Sequence, residues 1–134
     1  DFGPRQIDPG AGVVCVGARG PLIAFNVNVE ADLDTARAIA GAVRGSEGGV
    51  PGVRALGLPM TDGSQVSMNL TEPESAGIDD AFGAVEEQAE RRDVRVLSTE
   101  IVGLVEDRFL PDPHAKAARL LIEPGRSLES ALKS

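Results

Sequence analysis

The hydrophobic residues of this chain change their spacing directly after residue 30, and that change restricts the folds open to it. Residues 22–30 read LIAFNVNVE, in which every second side chain is apolar from Ile23 onward, as in a strand with one buried face. From Asp32 the apolar residues recur at spacings of three and four, which predicts a helix capped by Asp32 and ended by Gly45. A strand therefore leads into a helix within a few residues.

A hairpin, a second helix and a last strand are predicted further along. The runs VRALGLPM and SQVSMNL flank the turn pair Asp62-Gly63, and Asp-Gly between two strand-like runs is a strong hairpin signal. Apolar residues then recur at four, three and four over residues 78–91, which predicts a helix. The run VRVLSTEIVGLV is rich in β-branched residues and predicts a strand, with Gly103 marking its inner end.

The order of these elements indicates an α+β fold, the ferredoxin-like βαββαβ sandwich. In this fold a four-stranded antiparallel sheet has two helices on one face, and the helix-like segment 113–122 adds a C-terminal helix. The 134 residues match a single domain. We expect residues 1–12 to be a loop or linker and residues 123–134 to be a loose tail. Residues 13–16 and 22–30 form either one interrupted strand or two short ones.

Charge and composition disfavour two classes of partner. Twenty-one acidic against thirteen basic residues give a net charge of −8, which repels phosphate backbones and anionic lipids in the absence of a basic patch. We therefore expect no nucleic-acid partner and no membrane partner, and no apolar stretch approaches the ~20 residues of a membrane span. The single cysteine, Cys15, is expected to pack as a small hydrophobe in the run VVCVG, in a reduced, cytoplasmic setting.

Uncharged polar residues are predicted to share one face of the sheet, opposite the core. There are five of them: Asn26, Asn28, Gln65, Ser67 and Asn69. Because an amide both donates and accepts hydrogen bonds, these residues suit a neutral or amphoteric ligand with many donors and acceptors. The alternative is an ordinary solvent-facing side of an antiparallel sheet, which is commonly polar. The use of amides rather than Lys, Glu and Thr counts against this alternative, and both interpretations stay open.

Other candidate chemistry is sparse. His114 has no evident partner in the sequence and is predicted to be a surface residue. Glu100 lies inside an apolar run, and because an unpaired buried carboxylate is costly, it must reach the sheet edge or meet a partner. The segment GARG at 17–20 either presents Arg19 and backbone donors to an anion or forms a simple turn. No metal-ligand spacing and no Ser/His/Asp set is present.

Four segments together resemble the C-terminal subdomain of glutamate formimidoyltransferase. They are DFGP at 1–4, VGARGPLIAFNVNVE at 16–30, QVSMNL at 65–70 and STEIVGLV at 98–105, in the family's order and with similar spacing. That enzyme moves a formimino group between formiminoglutamate and tetrahydrofolate in histidine degradation, and its two ferredoxin-like subdomains enclose the folate site. The resemblance implies tetrahydrofolate as co-substrate and formiminoglutamate as the other substrate. We expect no metal, because the sequence has no metal-ligand spacing.

The resemblance also implies roles for particular residues. Four residues would end the folate-contacting loop that joins the two subdomains: Asp1, Phe2, Gly3 and Pro4. Four others would line or border the cleft: Asn26, Asn28, Gln65 and Asn69. Arg19 would either pair with a carboxylate of the folate or glutamate moiety or bond a neighbouring carbonyl.

The chain departs from the family's pattern in one important respect. The family's catalytic histidine belongs to the N-terminal subdomain, and His114 aligns with no catalytic position. The resemblance therefore implies no catalytic residue here and an N-terminal subdomain on another chain as partner. The alternative is a non-catalytic ligand-binding or dimerisation module, in which the open sheet face pairs with that of a second copy.

Overall fold

The computed structural model describes residues 6–10, 12–124 and 126–133. The predicted folate-loop residues Asp1, Phe2, Gly3 and Pro4 lie outside the described residues. The main elements are β1 (Ile23–Val29), α1 (Leu33–Val43), β2 (Val53–Met60), β3 (Gly63–Leu70), α2 (Ile78–Glu90) and β4 (Val96–Val102). Shorter elements follow: β5 (Leu104–Val105), α3 (Lys116–Arg119), β6 (Arg126–Ser127) and α4 (Leu128–Ala131).

The four long strands form one antiparallel sheet in the order β2-β3-β1-β4. Together with the βαββαβ order of the long elements, this confirms the predicted α+β, ferredoxin-like fold. β1 lies inside the sheet between β3 and β4. The outer strands are β2 at one edge and β4 at the other. The first strand of the sequence is therefore paired along both of its edges.

Both long helices pack on one face of the sheet and form an aliphatic core with it. Phe25 and Val27 of β1 are completely buried, as are Ile39 of α1 and Val85 of α2. α1 begins as predicted, because the carboxylate of Asp32 accepts a hydrogen bond from the backbone N–H of Thr35 at 2.8 Å. That bond satisfies one of the free donors at the start of the helix.

The predicted hairpin is present, but its turn lies one residue earlier than the sequence suggested. Met60 pairs with Gly63, so the two turn residues are Thr61 and Asp62. Gly63 begins β3 with φ of 123°, and a Cβ there would lie 2.5 Å from the backbone oxygen of Val29. The glycine is therefore needed by the neighbouring strand as well as by the turn.

The apolar run before β1 does not form a strand, so neither of the two strand arrangements predicted for it is observed. Val13, Val14 and Val16 are 74%, 84% and 92% exposed, and Cys15 is also exposed. The prediction that Cys15 packs as a small hydrophobe is therefore wrong. Because β1 already has a neighbour on each side, this run cannot pair beside the strand that it precedes.

The predicted C-terminal helix is shorter than residues 113–122. Only Lys116–Arg119 is helical, because the chain then turns to run along the outer edge of β4. Thr99 donates its backbone N–H to the oxygen of Leu120 at 2.8 Å and accepts from the N–H of Ile122 at 3.0 Å. Its buried hydroxyl also donates to the oxygen of Ala117 at 2.7 Å. Thr99 thus fixes this segment against the sheet.

None of the helices in the described ranges has both the length and the apolar character needed to span a bilayer. β6 and α4 lie in the segment that was expected to be a loose tail. That looseness stays a prediction.

Candidate functional site

The candidate site is the sheet surface that faces away from the two long helices. We call it the amide face and define it by five residues: Asn26, Asn28, Gln65, Ser67 and Asn69. The strand register brings polar residues of three strands together on it. Asn28 of β1 lies opposite both Gln65 of β3 and Ser98 of β4. Asn26, two residues earlier on β1, lies opposite Glu100 of β4.

The amides of this face are hydrogen-bonded to one another across the strands. Gln65 Nε2 donates to Asn28 Oδ1 at 3.0 Å, and Asn28 Nδ2 donates to Ser98 Oγ at 2.9 Å. In the neighbouring row Asn26 Nδ2 donates to Glu100 Oε2 at 3.1 Å. Each bond lies between residues that the backbone register places opposite each other, so the sheet itself determines the network.

The inner amides are well shielded from solvent. Asn26 is 8% exposed and Gln65 is 7% exposed, and no buried side-chain nitrogen or oxygen in the described part of the chain lacks a hydrogen-bond partner. Networks satisfied in this way hold their members in fixed orientations. A ligand would therefore meet a rigid polar surface. The more exposed polar groups of that surface lie at its margins. Asn69 is the exposed member of the set.

Glu100 joins the site although it was not among the predicted binding residues. The prediction that it needs an edge or a partner is confirmed, because Asn26 supplies the partner. It is only partly buried, so its carboxylate can meet both the amide of Asn26 and a ligand. The sequence signal was the single acid within the apolar run STEIVGLV.

Beside Asn69 the face opens into a cavity of about 700 Å³ at the outer strand β2. Its polar lining includes Arg54, Ser67 and Asn69. Arg54 and Asn69 are directly opposite each other in the β2–β3 pairing. The same cavity is bordered by Arg44, which donates from Nε and Nη2 to the oxygen of Ala55 at 3.2 and 2.9 Å. Arg44 is thus hydrogen-bonded to the backbone of β2, whereas the side chain of Arg54 is exposed.

Arg54 was not predicted from the sequence as a site residue. The hairpin could have indicated it, because the hairpin determines which residues of β2 and β3 are paired. Once the turn is placed at Thr61 and Asp62, counting back along both strands pairs Arg54 with Asn69. Arg54 then shares a face with the amides because its strand neighbours Val53 and Ala55 are buried.

Apolar side chains border the amide face along β2. Leu56, Leu58 and Met60 alternate along that strand and are 62%, 39% and 50% exposed. Leu56 lies opposite Ser67 and Leu58 lies opposite Gln65. The face therefore combines a polar centre with an apolar margin, as surfaces that receive a partner or a ligand commonly do.

Among the described residues, neither Arg19 nor His114 forms a hydrogen bond with the amide face. Arg19 is exposed in the segment before β1, and it makes no hydrogen bond or ion pair with any described residue; with Gly17 and Ala18 it borders a depression of about 330 Å³. His114 is exposed, which confirms the prediction of a surface position. It lies in the loop before α3, and its backbone N–H donates to Asp112 Oδ1 at 2.8 Å.

Charged groups at the end of β1 form an ion pair at the margin of the sheet. Arg95 Nε lies 2.7 Å from Glu30 Oε2. The hydrogen bond from Arg95 and its positive charge hold the pKa of Glu30 below its usual value, and Glu30 raises the pKa of Arg95 in the same way. Within the described residues no group of three or more His, Cys, Asp or Glu is arranged to hold a metal ion.

Comparison with known sequences supports one family. The family model described as Formiminotransferase domain matches residues 24–123. A glutamate formimidoyltransferase of Streptococcus pyogenes serotype M1 is 42% identical over 115 residues, and one of Thermoplasma acidophilum is 38% identical over 115 residues. A formimidoyltransferase-cyclodeaminase of Sus scrofa is 32% identical over 123 residues.

The relatives are considerably longer than this chain. The match to the Streptococcus and Thermoplasma proteins covers 84% of this chain and 38% of each relative. For the Sus scrofa protein the shares are 86% and 23%. The chain thus spans well under half the length of the curated relatives that it matches.

Proposed function

Because the chain belongs to the formiminotransferase domain family, we propose that it is the folate-binding half of a glutamate formimidoyltransferase. It would help to transfer a formimino group between N-formimino-L-glutamate and tetrahydrofolate. The observation that carries this proposal is the amide face, whose bonded amides form a rigid surface of donors and acceptors. Such a surface fits the alternating donors and acceptors of a pterin ring.

Within this proposal the predicted binding residues divide into two groups. Asn26, Asn28 and Gln65 hold one another and present a fixed polar floor. Asn69 and Arg19 are exposed, and Asn69 would contact folate directly, whereas Arg19 would pair with a carboxylate of formiminoglutamate. The loop that ends in Asp1, Phe2, Gly3 and Pro4 would complete the site.

The chemistry of transfer also needs a proton donor and acceptor. A nitrogen of tetrahydrofolate attacks the formimino carbon and loses a proton, while the glutamate nitrogen leaves that carbon and gains one. The amide face offers no group that titrates near neutral pH, and we propose that an N-terminal subdomain supplies the histidine for this step. This chain would then contribute orientation, which can lower a barrier by several kcal/mol, up to about 7–11 kcal/mol in well-oriented systems.

A chimeric enzyme tests this division of roles. In the Streptococcus relative, the 115 matched residues would be replaced by the corresponding residues of this chain. We expect formimino transfer from formiminoglutamate to tetrahydrofolate to be retained within about tenfold. Asn69→Ala in the chimera should raise the KM for tetrahydrofolate, and Asp62→Ala in the hairpin turn serves as the matched surface control.

A folded chimera without transfer activity, or one whose KM is unchanged by Asn69→Ala, would contradict the proposal. Circular dichroism and thermal melting establish that the chimera is folded.

A second candidate role is that of a dimerisation module, and the apolar margin of the amide face favours it. Leu56, Leu58 and Met60 remain exposed in the single chain, and a second copy could cover them in a self-complementary interface. Sedimentation distinguishes the roles. A folate-independent dimer that is lost on Leu56→Lys supports the module, and a monomer at all concentrations excludes it.

A further inference from the structure

Opposite charges mark the two ends of the amide face. At the β4 end Glu100 and Glu123 border a cavity of about 190 Å³. At the β2 end Arg54 lines the cavity of about 700 Å³. In the strand register Asn69, Ser67 and Asn26 lie between Arg54 and Glu100. Any elongated ligand on this surface would therefore meet an acidic end and a basic end.

The basic end offers a cation that is available to a ligand. Arg54 is exposed and forms no ion pair and no hydrogen bond with a described residue, whereas most other described arginines are bound to acids or carbonyls. Glu72 lines the same cavity without forming an ion pair with Arg54. Asn69, opposite Arg54, can donate a second hydrogen bond at the same place. A guanidinium beside an amide is suited to a carboxylate.

The acidic end offers a fixed carboxylate. Asn26 bonds Oε2 of Glu100 at 3.1 Å, and Oε1 accepts no hydrogen bond from the described residues. An oriented carboxylate with a free oxygen suits a ligand edge that carries adjacent N–H donors. The 2-amino group and N3–H of a pterin form such an edge.

We propose that folate lies across the strands of this sheet, with its pterin at Glu100 and its glutamyl carboxylates at Arg54. This assignment rests on the proposed function and adds to it an orientation and two recognition residues. β2 and β4 are the outer strands, so Arg54 and Glu100 are separated by three strand spacings, roughly 14 Å, across the sheet. The register also offsets them by two residues, roughly 7 Å, along the strands. The pterin and the glutamate of folate are held apart by a stiff aminobenzoyl unit, which would lie over the amides.

Nuclear magnetic resonance with two fragments tests the orientation. The labelled chain is titrated to millimolar concentrations with 6-hydroxymethylpterin, with p-aminobenzoylglutamate and with folic acid. We expect the pterin to shift the amide signals of Ser98 and Glu100, the aminobenzoylglutamate to shift those of Arg54 and Asn69, and folic acid to shift both sets.

Two substitutions separate the ends of the site. Arg54→Gln should weaken the binding of p-aminobenzoylglutamate about tenfold and leave the binding of 6-hydroxymethylpterin unchanged. Glu100→Gln should weaken the binding of 6-hydroxymethylpterin and leave that of p-aminobenzoylglutamate unchanged, because glutamine keeps an acceptor for Asn26 but loses the charge. Arg37→Gln, an exposed arginine on α1, is the matched control and should change neither fragment.

The outcomes distinguish this inference from the proposed function. Fragments that bind at the opposite ends, or that are insensitive to Arg54→Gln and Glu100→Gln while folic acid still shifts the amide face, would overturn the orientation alone. Folic acid that shifts no amide-face signal would overturn the orientation and the proposed function together.

Discussion

Gln65 on β3 and Asn28 on β1 lie directly opposite in the strand register, and the Gln65 amide donates to the Asn28 oxygen at 3.0 Å. Asn28 in turn donates to Ser98 on β4 at 2.9 Å. A single side chain of β1 thus links the strands on both sides of it. The polar centre of the amide face is consequently part of the sheet's own structure, and it is formed before any ligand binds.

Removing the central member of this network should destabilise the fold. In Asn28→Ala the amide of Gln65, which is 7% exposed, loses its partner, so we expect a loss of about 1–3 kcal/mol in the free energy of unfolding. Urea denaturation measures it. Asn69→Ala is the matched control, because Asn69 is exposed and has no described side-chain hydrogen bond, and its change should stay within about 0.5 kcal/mol. Equal losses in both variants would show that the network contributes nothing.

Thr99 should determine how firmly the C-terminal segment is attached to β4. Thr99→Val keeps the shape but leaves the oxygen of Ala117 without its hydroxyl donor, so we expect a cost of about 1–2 kcal/mol. Hydrogen exchange at the amide of Ile122, which bonds Thr99 at 3.0 Å, should become faster. Thr61→Val in the exposed hairpin turn is the control. Unchanged exchange at Ile122 in Thr99→Val would contradict this role.

Two glycine-to-alanine substitutions should have opposite effects on stability. A Cβ at Gly57 would lie 2.5 Å from the backbone nitrogen of Arg37, where β2 approaches α1, so Gly57→Ala should cost about 1–3 kcal/mol. Gly83 is exposed within α2 and has no atom within 4 Å of the added Cβ, so Gly83→Ala should stabilise by about 0.5–1 kcal/mol. Thermal melting compares the two, and a stable Gly57→Ala would show that the helix can move away from the sheet.

Acid should weaken the start of α1 through Asp32. Hydrogen bonding from Thr35, by its side chain and then by its backbone N–H, lowers the pKa of Asp32. A lowered folded-state pKa gives stability that is present above the unfolded-state pKa and is lost as the pH falls through the folded value. Asp32→Asn retains a capping acceptor but does not titrate.

The stability advantage of the natural chain over Asp32→Asn should therefore shrink between about pH 5 and pH 3. Urea denaturation at each pH measures it, and Asp62→Asn in the exposed turn is the control. An advantage that grows on acidification would contradict the assigned direction.

The fold was accessible from the sequence because each long element has a clear period and a clear end. The alternation in β1 and the spacing in α1 predict both elements and the Asp32 cap, and all are observed. The predictions for residues 13–16 and 113–122 were inaccurate for another reason. Local pattern does not show which strand edges are already occupied, and the edge of β4 is taken by the chain around Leu120.

The candidate site could be predicted only in part from the sequence. Alternation alone places Asn26, Asn28, Gln65 and Asn69 on one face, as observed in the register. Alternation does not give the partners, because Glu100 and Ser98 join the face only through the pairing of β1 with β4. The bonded residues of that pairing are 70 and 74 positions apart in the chain, so their contact is a property of the tertiary fold.

Calorimetric titration of the purified chain with tetrahydrofolate or a stable analogue, alongside the Asn26→Ala and Asn69→Ala variants, tests whether the amide face binds folate. We expect saturable binding that both substitutions weaken, because the first disturbs the polar floor and the second removes an exposed contact. A folded natural chain that binds no folate would contradict the claim that the amide face is a folate site. So would two variants that bind folate as tightly as the natural chain does.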